Sequence, residues 1–241
     1  MHRDLLKAFV ACCTMLLVIF PLWGCKFSEQ RLHHRNSLID YLYPNVQQPP
    51  EQTASTATGL ALPAKVGIAF APDQVVRLSE KDKLELLQRI KGEFVRYPVF
   101  TSVELIPSQH LSQGGGFANL DQLRLMYGMD LIALVSYDQM QHTDEGFKTL
   151  SYWTVVGMYM IEGEKNDTNT MMDLSLFHIP SRKMLLHAVG TSQVKKGATY
   201  INLSEQLRND SLAGFSQATD SLIDNMRGEL AKFQETAAAL R

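Results

Sequence analysis

The sequence predicts an α/β fold: a single α/β sandwich on a mixed, partly antiparallel sheet, in the order β-α-β-α-β-β-β-β-α, closing on a long C-terminal helix. Three observations predict it. Short apolar runs alternate, up to about residue 130, with stretches whose apolar residues recur every three or four positions. Three strand-like segments then follow one another with no helical pattern between them. The chain ends in one long amphipathic stretch with no internal proline.

Each element has its own signal. Val66-Gly67-Ile68-Ala69-Phe70 is an apolar run closed by Ala71-Pro72-Asp73, and reads as a strand. Ser79 and Asp82 stand at capping-box spacing and open a helix whose stripe is Leu84, Leu87, Ile90 and Phe94. Pro98 stops it. Residues 102–106 form the second strand, ended by Pro107. A second helix follows from about Asn119, with Leu120, Leu123 and Met126 or Tyr127 facing inward and Gly128 at its C′ position. The third strand starts at Asp130 and continues through Tyr137 to Met140. Residues 147–161 form a fourth strand, 162–167 a polar hairpin tip, and 168–179 a fifth strand. Pro180-Ser181-Arg182 turns the chain into a sixth strand over 184–193. Ser204 caps the final helix, which runs to about Ala239 with Leu212, Phe215, Leu222, Met226, Leu230 and Phe233 as its stripe. There is no internal repeat.

The chain has 241 residues, 45% of them hydrophobic, with 23 Lys+Arg against 25 Asp+Glu. That supports one domain with terminal extensions. It is not the composition of a disordered chain. The near-neutral balance argues against a nucleic-acid partner held by phosphate contacts. Three cysteines exclude a disulfide-dense scaffold and a four-cysteine zinc site.

The N-terminus reads as an address. Arg3 and Lys7 precede an apolar run over residues 8–23, 16 residues long. A transmembrane helix needs about 20, so the run fits a secretory signal. Leu22-Trp23-Gly24-Cys25 resembles a bacterial lipobox, which implies lipidation of Cys25 and cleavage after Gly24. Residues 1–24 are then the lipoprotein signal peptide. Removing them takes away Arg3, Asp4 and Lys7, leaving 21 Lys+Arg and 24 Asp+Glu, a net charge of −3. Cys12 and Cys13 leave too, so the mature domain carries no free thiol. One acyl chain anchors only marginally, at ~0.8 kcal/mol per buried CH₂, whereas two or three on one cysteine hold a domain on a membrane. Lys26 after the anchor, rather than Asp, favours the outer membrane by analogy with enterobacterial sorting.

Residues 25–63 read as lipid anchor and flexible tether. Leu38, Ile39, Tyr41, Leu42 and Tyr43 form an apolar patch that either packs on the domain or meets a partner. From Pro44 to Pro63 there is little to bury, which predicts an extended or disordered segment. The periplasmic α/β domain is expected over residues 64–241.

No segment matches a catalytic motif. Gly114-Gly115-Gly116 before a helix could form an anion nest, or simply a strand-to-helix turn. His33, His34, His110 and His142 are scattered. His178 and His187 flank the Pro180 turn, where they serve either as ordinary strand residues or as a two-histidine metal site. Asp138, Asp144, Glu145, Glu162, Glu164 and Asp167 gather near strand ends, as solvated loop acids or as a carboxylate pair of glycosidase type. Asn166, Asn202 and Asn209 open sequons with no expected role in a bacterial lipoprotein. Tyr152, Trp153 and Tyr159 are strand core or, if exposed, a binding platform.

Several segments together resemble one family. They are Leu38-Ile39-Asp40-Tyr41-Leu42-Tyr43-Pro44, Val66-Gly67-Ile68-Ala69-Phe70, and Gly114-Gly115-Gly116-Phe117-Ala118-Asn119-Leu120-Asp121-Gln122. With them stand Ile132-Ala133-Leu134-Val135-Ser136-Tyr137-Asp138-Gln139, Gly163-Glu164-Lys165-Asn166-Asp167-Thr168, Ile179-Pro180-Ser181-Arg182-Lys183 and Asn202-Leu203-Ser204-Glu205-Gln206-Leu207. This pattern resembles the rhombotarget lipoproteins of proteobacteria, whose name implies association with rhombosortase, an intramembrane protease. The tail Glu235-Thr236-Ala237-Ala238-Ala239-Leu240-Arg241 departs from the family's Gly-Gly sorting tail, so rhombosortase processing is not expected from it. The element order also resembles, at the level of fold, curli-secretion and penicillin-binding-protein-activator lipoproteins.

The expectation is an outer-membrane-anchored periplasmic lipoprotein acting as a non-enzymatic binding or assembly module for an envelope protein. Cys25 is the one modified residue and the membrane contact. No catalytic residue, metal or cofactor is expected. Two alternatives stay open: an enzyme acting on an envelope polymer through the loop carboxylates, and a subunit of an oligomeric secretion collar.

Overall fold

A computed structural model describes residues 30–44, 60–73, 78–145, 164–198 and 203–239. Its elements are β1 (Gln30–Asn36), α1 (Leu38–Leu42), β2 (Ala64–Phe70), α2 (Glu80–Phe94), β3 (Phe100–Leu105), α3 (Gly116–Tyr127), β4 (Leu131–Glu145), β5 (Glu164–His178), β6 (Lys183–Ala198) and α4 (Leu203–Ala239). The mixed α/β architecture and the long final helix match the sequence reading. The strand expected over residues 147–161 lies outside the described residues.

The sheet runs β3-β2-β4-β5-β6, with β1 also paired to β4. β2 is parallel to β3 and β4, while β4-β5 and β5-β6 are antiparallel. β4 has 15 residues and carries two partners end to end on one edge. β2 pairs with its first part, Val66↔Leu131 to Phe70↔Val135. β1 pairs antiparallel with the remainder, Asn36↔Tyr137 to Gln30↔Thr143.

β1 and α1 come from the segment expected as tether. The apolar patch packs inward through Tyr41 and Leu42, both buried. The Tyr41 hydroxyl donates to Asn119 Oδ1 at 3.0 Å, and burial pushes its pKa well above the usual phenol range. Ser37 caps α1, its Oγ accepting from the Asp40 N–H at 3.2 Å. The folded unit therefore begins before residue 64, because β4 is longer than β2 and its remaining edge pairs with β1.

Helices cover both faces. On one, α2 and α4 bury Leu86, Leu87, Ile90, Phe94, Phe215, Leu222, Met226 and Leu230 against the sheet. On the other, α1 and α3 pack Tyr41, Leu42, Phe117, Leu120 and Leu123 over Ala69, Ile132, Leu134 and Phe177. Each fully buried large side chain contributes roughly 1.5–3 kcal/mol. α4 has 37 residues, about 55 Å at 1.5 Å per residue, close to the ~50 Å of a 15-residue strand. It lies along the sheet: Leu207 receives a bond from Gln141 of β4, and Phe233 stacks on Phe100 of β3 with centroids 6.0 Å apart.

Local chemistry explains the boundaries. Ser79 Oγ accepts from the Asp82 N–H at 3.2 Å and caps α2, as its spacing predicted. Gly128 takes the left-handed conformation, φ 61°, and ends α3. Gly190 of β6 is needed for a different reason: a Cβ there would stand 2.2 Å from the Ala218 carbonyl and the Leu222 nitrogen. α4 rests directly on that strand.

Several expectations need correction. Leu84 is exposed and Leu86 takes its place in the α2 stripe. α3 begins at Gly116 rather than near Asn119, and Tyr127 faces inward while Met126 faces solvent. Ser204 is the second residue of α4, not its cap, and Leu212 lies at the exposed margin of the stripe. The largest difference is the polar hairpin tip. Residues 164–167 belong to β5, paired with Glu145 to His142 on one side and with residues 195–198 on the other. Pairing on both edges satisfies the backbone whatever the side chains are.

Candidate functional site

Among the described residues, the half of the sheet beyond α3 is helix-covered on one face only. Its other face forms a groove of about 380 Å³ between the start of α1 and strands β4, β5 and β6. The groove is apolar through Ile39, Met171 and Met184, which are 60%, 43% and 52% exposed. Its polar side chains include Asp138, Asp173, Ser175 and His187. Strand period places them: Ser136, Asp138, Met171, Asp173 and Ser175 share one face, while Tyr137, Met172 and Leu174 turn into the core beneath α4.

Asp173 is the centre of the polar group. His187 Nε2 lies 2.5 Å from its Oδ2, and Ser175 Oγ donates to its Oδ1 at 3.2 Å. This order, serine and histidine both on the carboxylate, is not the order of a nucleophilic triad. There the histidine stands between hydroxyl and carboxylate and takes the hydroxyl proton. Here the carboxylate holds both neighbours and fixes the floor of the groove.

The acids proposed from sequence do not form one group. Asp138 lines the groove, opposite Met171. Asp167 lies four positions further along β5, roughly 13 Å away at 3.3 Å per residue, and accepts from Gln193 Nε2 at 3.1 Å. Asp144, Glu145 and Glu164 occupy the strand ends in register Asp144↔Lys165 and Glu145↔Glu164. Glu162 lies outside the described residues.

The histidine pair also separates. His178 is opposite Lys183 and His187 opposite Ser175, three positions apart along β5, about 10 Å. His178 is buried, with Nδ1 2.7 Å from Ser181 Oγ. Burial lowers its pKa against an opposing pull from Asp130. Among the described residues no group of three His, Cys, Asp or Glu is placed to hold a metal.

The glycine run performs a packing task. Gly114 and Gly116 have φ of 63° and 56°. A Cβ on Gly114 would meet Pro44 at 3.1 Å, and one on Gly116 the Leu42 carbonyl at 3.0 Å. The end of α1 thus sits on the glycine run, where the anion nest was one reading. Nearby, at the carboxyl end of β2, Lys83 pairs with Asp73 at 2.9 Å and Glu80 at 3.1 Å, with both Lys83 and Asp73 buried. Burial alone would lower the Lys83 pKa, but the two carboxylates outweigh it and raise it. Burial likewise opposes ionisation of Glu80, yet bonds from Ser108 and Lys83 hold its pKa below the ordinary range. The Ser108 hydroxyl donates to Glu80 Oε1 at 2.6 Å. This cluster braces α2 against the sheet.

One polar feature escaped sequence reasoning. Gln139 and Gln141 of β4 are buried under α4. Gln139 Nε2 donates to Thr170 Oγ1 at 2.7 Å and to the Ser211 carbonyl at 3.1 Å, and Ser211 Oγ donates to Gln139 Oε1 at 2.6 Å. Gln141 Nε2 donates to Thr168 Oγ1 and the Leu207 carbonyl. The available signal was the i, i+2 repeat of glutamine matched by Thr168 and Thr170 on the next strand.

Cys25, Tyr152, Trp153, Tyr159 and Asn202 lie outside the described residues, as do the side chains of His33, His34, His142 and Asn166. Asn209 is on α4. His110 Nδ1 lies 2.7 Å from the Tyr127 hydroxyl. No helix among the described residues is long and apolar enough to cross a membrane.

No protein-family model matches the chain, and no curated protein matches it. Among solved structures, a neuraminyllactose-binding hemagglutinin homolog from Helicobacter pylori is similar at 8% identity and a TM-score of 0.43, over 73% of this chain and 90% of that one. Lipoprotein GNA1162 from Neisseria meningitidis is similar at 11% identity and a TM-score of 0.27, over 61% of this chain and 94% of that one. Both likenesses are remote, and the rhombotarget resemblance rests on the sequence segments alone.

Proposed function

We propose that the protein is a bacterial envelope lipoprotein, anchored through Cys25 in the outer membrane and facing the periplasm, whose domain binds another envelope protein without catalysis. The observation that carries the binding role is the open sheet face, where Ile39, Met171 and Met184 stand exposed around the ordered Asp173–His187 pair. Such a face suits a protein segment that presents apolar side chains to it. The lipobox supports the anchor. The enzyme alternative is the weaker reading, because, of the carboxylates named for it, Asp138 lies in the groove, seven residues along β4 from the Glu145–Glu164 register pair at the strand ends.

Two measurements test this. Palmitate should label the wild type and not Cys25→Ala. A photo-crosslinking residue at Met184 or Met171 should trap one defined envelope protein, and the same residue at Leu125 on the outer side of α3 should not. Equal trapping from both places would defeat the assignment of the groove. Crosslinks to a second copy of this chain would assign the face to self-assembly instead, as in a collar.

A further inference from the structure

We infer that the domain stands on the membrane in one orientation, with the β4–β5 end of the sheet against the lipid surface. This rests on the lipoprotein reading of Cys25 and adds to it which surface meets the bilayer. The observation is the position of β1. The expected tether, from Cys25 to Ala64, would let the domain wander with an r.m.s. span of about 34 Å. Instead the chain is already in the sheet at Gln30, paired with Thr143. Only residues 26–29 separate the lipid-bearing cysteine from that strand. Five Cα steps span at most about 18 Å.

The direction of β1 fixes the end. Gln30 lies opposite Thr143 and Asn36 opposite Tyr137, so the chain before Gln30 leaves beyond Thr143. The opposite end of the sheet, at Leu131, is twelve residues back along β4, about 40 Å away. The tether is thus shorter than half the length of the body it holds. The segment between α1 and β2 becomes an internal connection with no share in the anchoring.

Charge does not set this orientation. At the proximal end Lys165 is in register with Asp144 and Lys195 with Asp167, while Arg31 and Lys196 share that end with Glu145 and Glu164. Such a balance gives an anionic bilayer little net attraction. The short tether alone orders the domain, so the order should resist salt. It also sets the height of the groove: Ser136 is seven residues above Thr143, about 23 Å along the strand.

The mature chain has no other thiol, which allows single-cysteine reporters. Lys195, in register with Asp167 and hence with His142, is exposed at the proximal end. Ser102 is exposed at the distal end, opposite Lys65. Full-length protein carrying Lys195→Cys or Ser102→Cys is labelled with a fluorophore and placed in phosphatidylethanolamine–phosphatidylglycerol vesicles containing a headgroup-attached quencher. Its palmitate label is checked first. Quenching at position 195 should exceed that at 102 several-fold, with the ratio unchanged between about 50 mM and about 500 mM salt. Inserting twenty Gly/Ser residues after Ser28 should bring the ratio close to one. Equal quenching of lipidated protein without the insertion, or stronger quenching at 102, overturns the orientation and leaves the lipoprotein reading standing. Absence of palmitate from the wild type overturns both.

Discussion

The two halves of the sheet solve burial differently. In the first, β2 and the opening of β4 run parallel between helices on both faces, and Leu131 to Val135 are all buried. In the second, the rest of β4 with β5 and β6 is antiparallel and, among the described residues, covered by α4 on one face and open on the other. There inward residues alternate with Asp138, Met171 and Asp173. Parallel pairing requires crossover helices, and those helices cover the faces; hairpin pairing requires none. Among the described residues, a sheet face with no helix over it is therefore a consequence of the switch from parallel to antiparallel strands.

This contrast can be broken most sharply at the buried ion pair of the closed half. Lys83→Met leaves Asp73 as an unpaired buried charge and should cost about 3–5 kcal/mol, read from chemical denaturation. The pH dependence has a definite sign. With its pKa raised, Lys83 contributes fully below 10.5 and loses that contribution as pH rises through the folded value. With its pKa lowered, Glu80 contributes above 4.5 and loses it on acidification below that.

Next in size is the covered face of the open half. Gly190→Ala forces a Cβ into the α4 backbone and should cost about 3 kcal/mol, lowering Tm by roughly 10 °C. Gly92→Ala, on α2 with nothing within 4 Å of the added carbon, should stabilise instead, by about 0.5–1 kcal/mol.

A smaller effect is expected at His178. Its burial-lowered pKa means that stability is full above 6.5 and declines as pH falls below that value. His178→Gln should flatten the fall of Tm on the acid side of pH 6.5. The smallest effect on stability belongs to the open face. Met184→Ser should change it by no more than about 0.5 kcal/mol while abolishing the crosslink expected from Met171. A large loss of stability there would mean that the groove is core rather than surface, and would collapse the distinction between the halves.

Much of the fold was legible from local chemistry. The Val66 strand, the Ser79 cap, Gly128 and the Phe215–Leu230 stripe act within a few residues of themselves. What was not legible depends on partners far along the chain. Leu84 and Leu86 both satisfy a helical period, and only the position of the sheet chose Leu86. Glu164 to Asp167 looked like a turn because they are polar, yet two flanking strands made them a strand. The groove joins Ile39 to Met184 across the sheet, and no spacing rule connects them.

By itself the sequence determined the class of fold and the order of its central elements, since periodicity and caps are local properties. Tertiary structure alone decided that residues 30–42 belong to the folded domain, that Ile39 and Met184 meet in one groove, and that Asp173 holds Ser175 and His187. Each depends on which strand edge or helix face remains unoccupied after the others have packed, and that is settled only when the whole sheet is assembled.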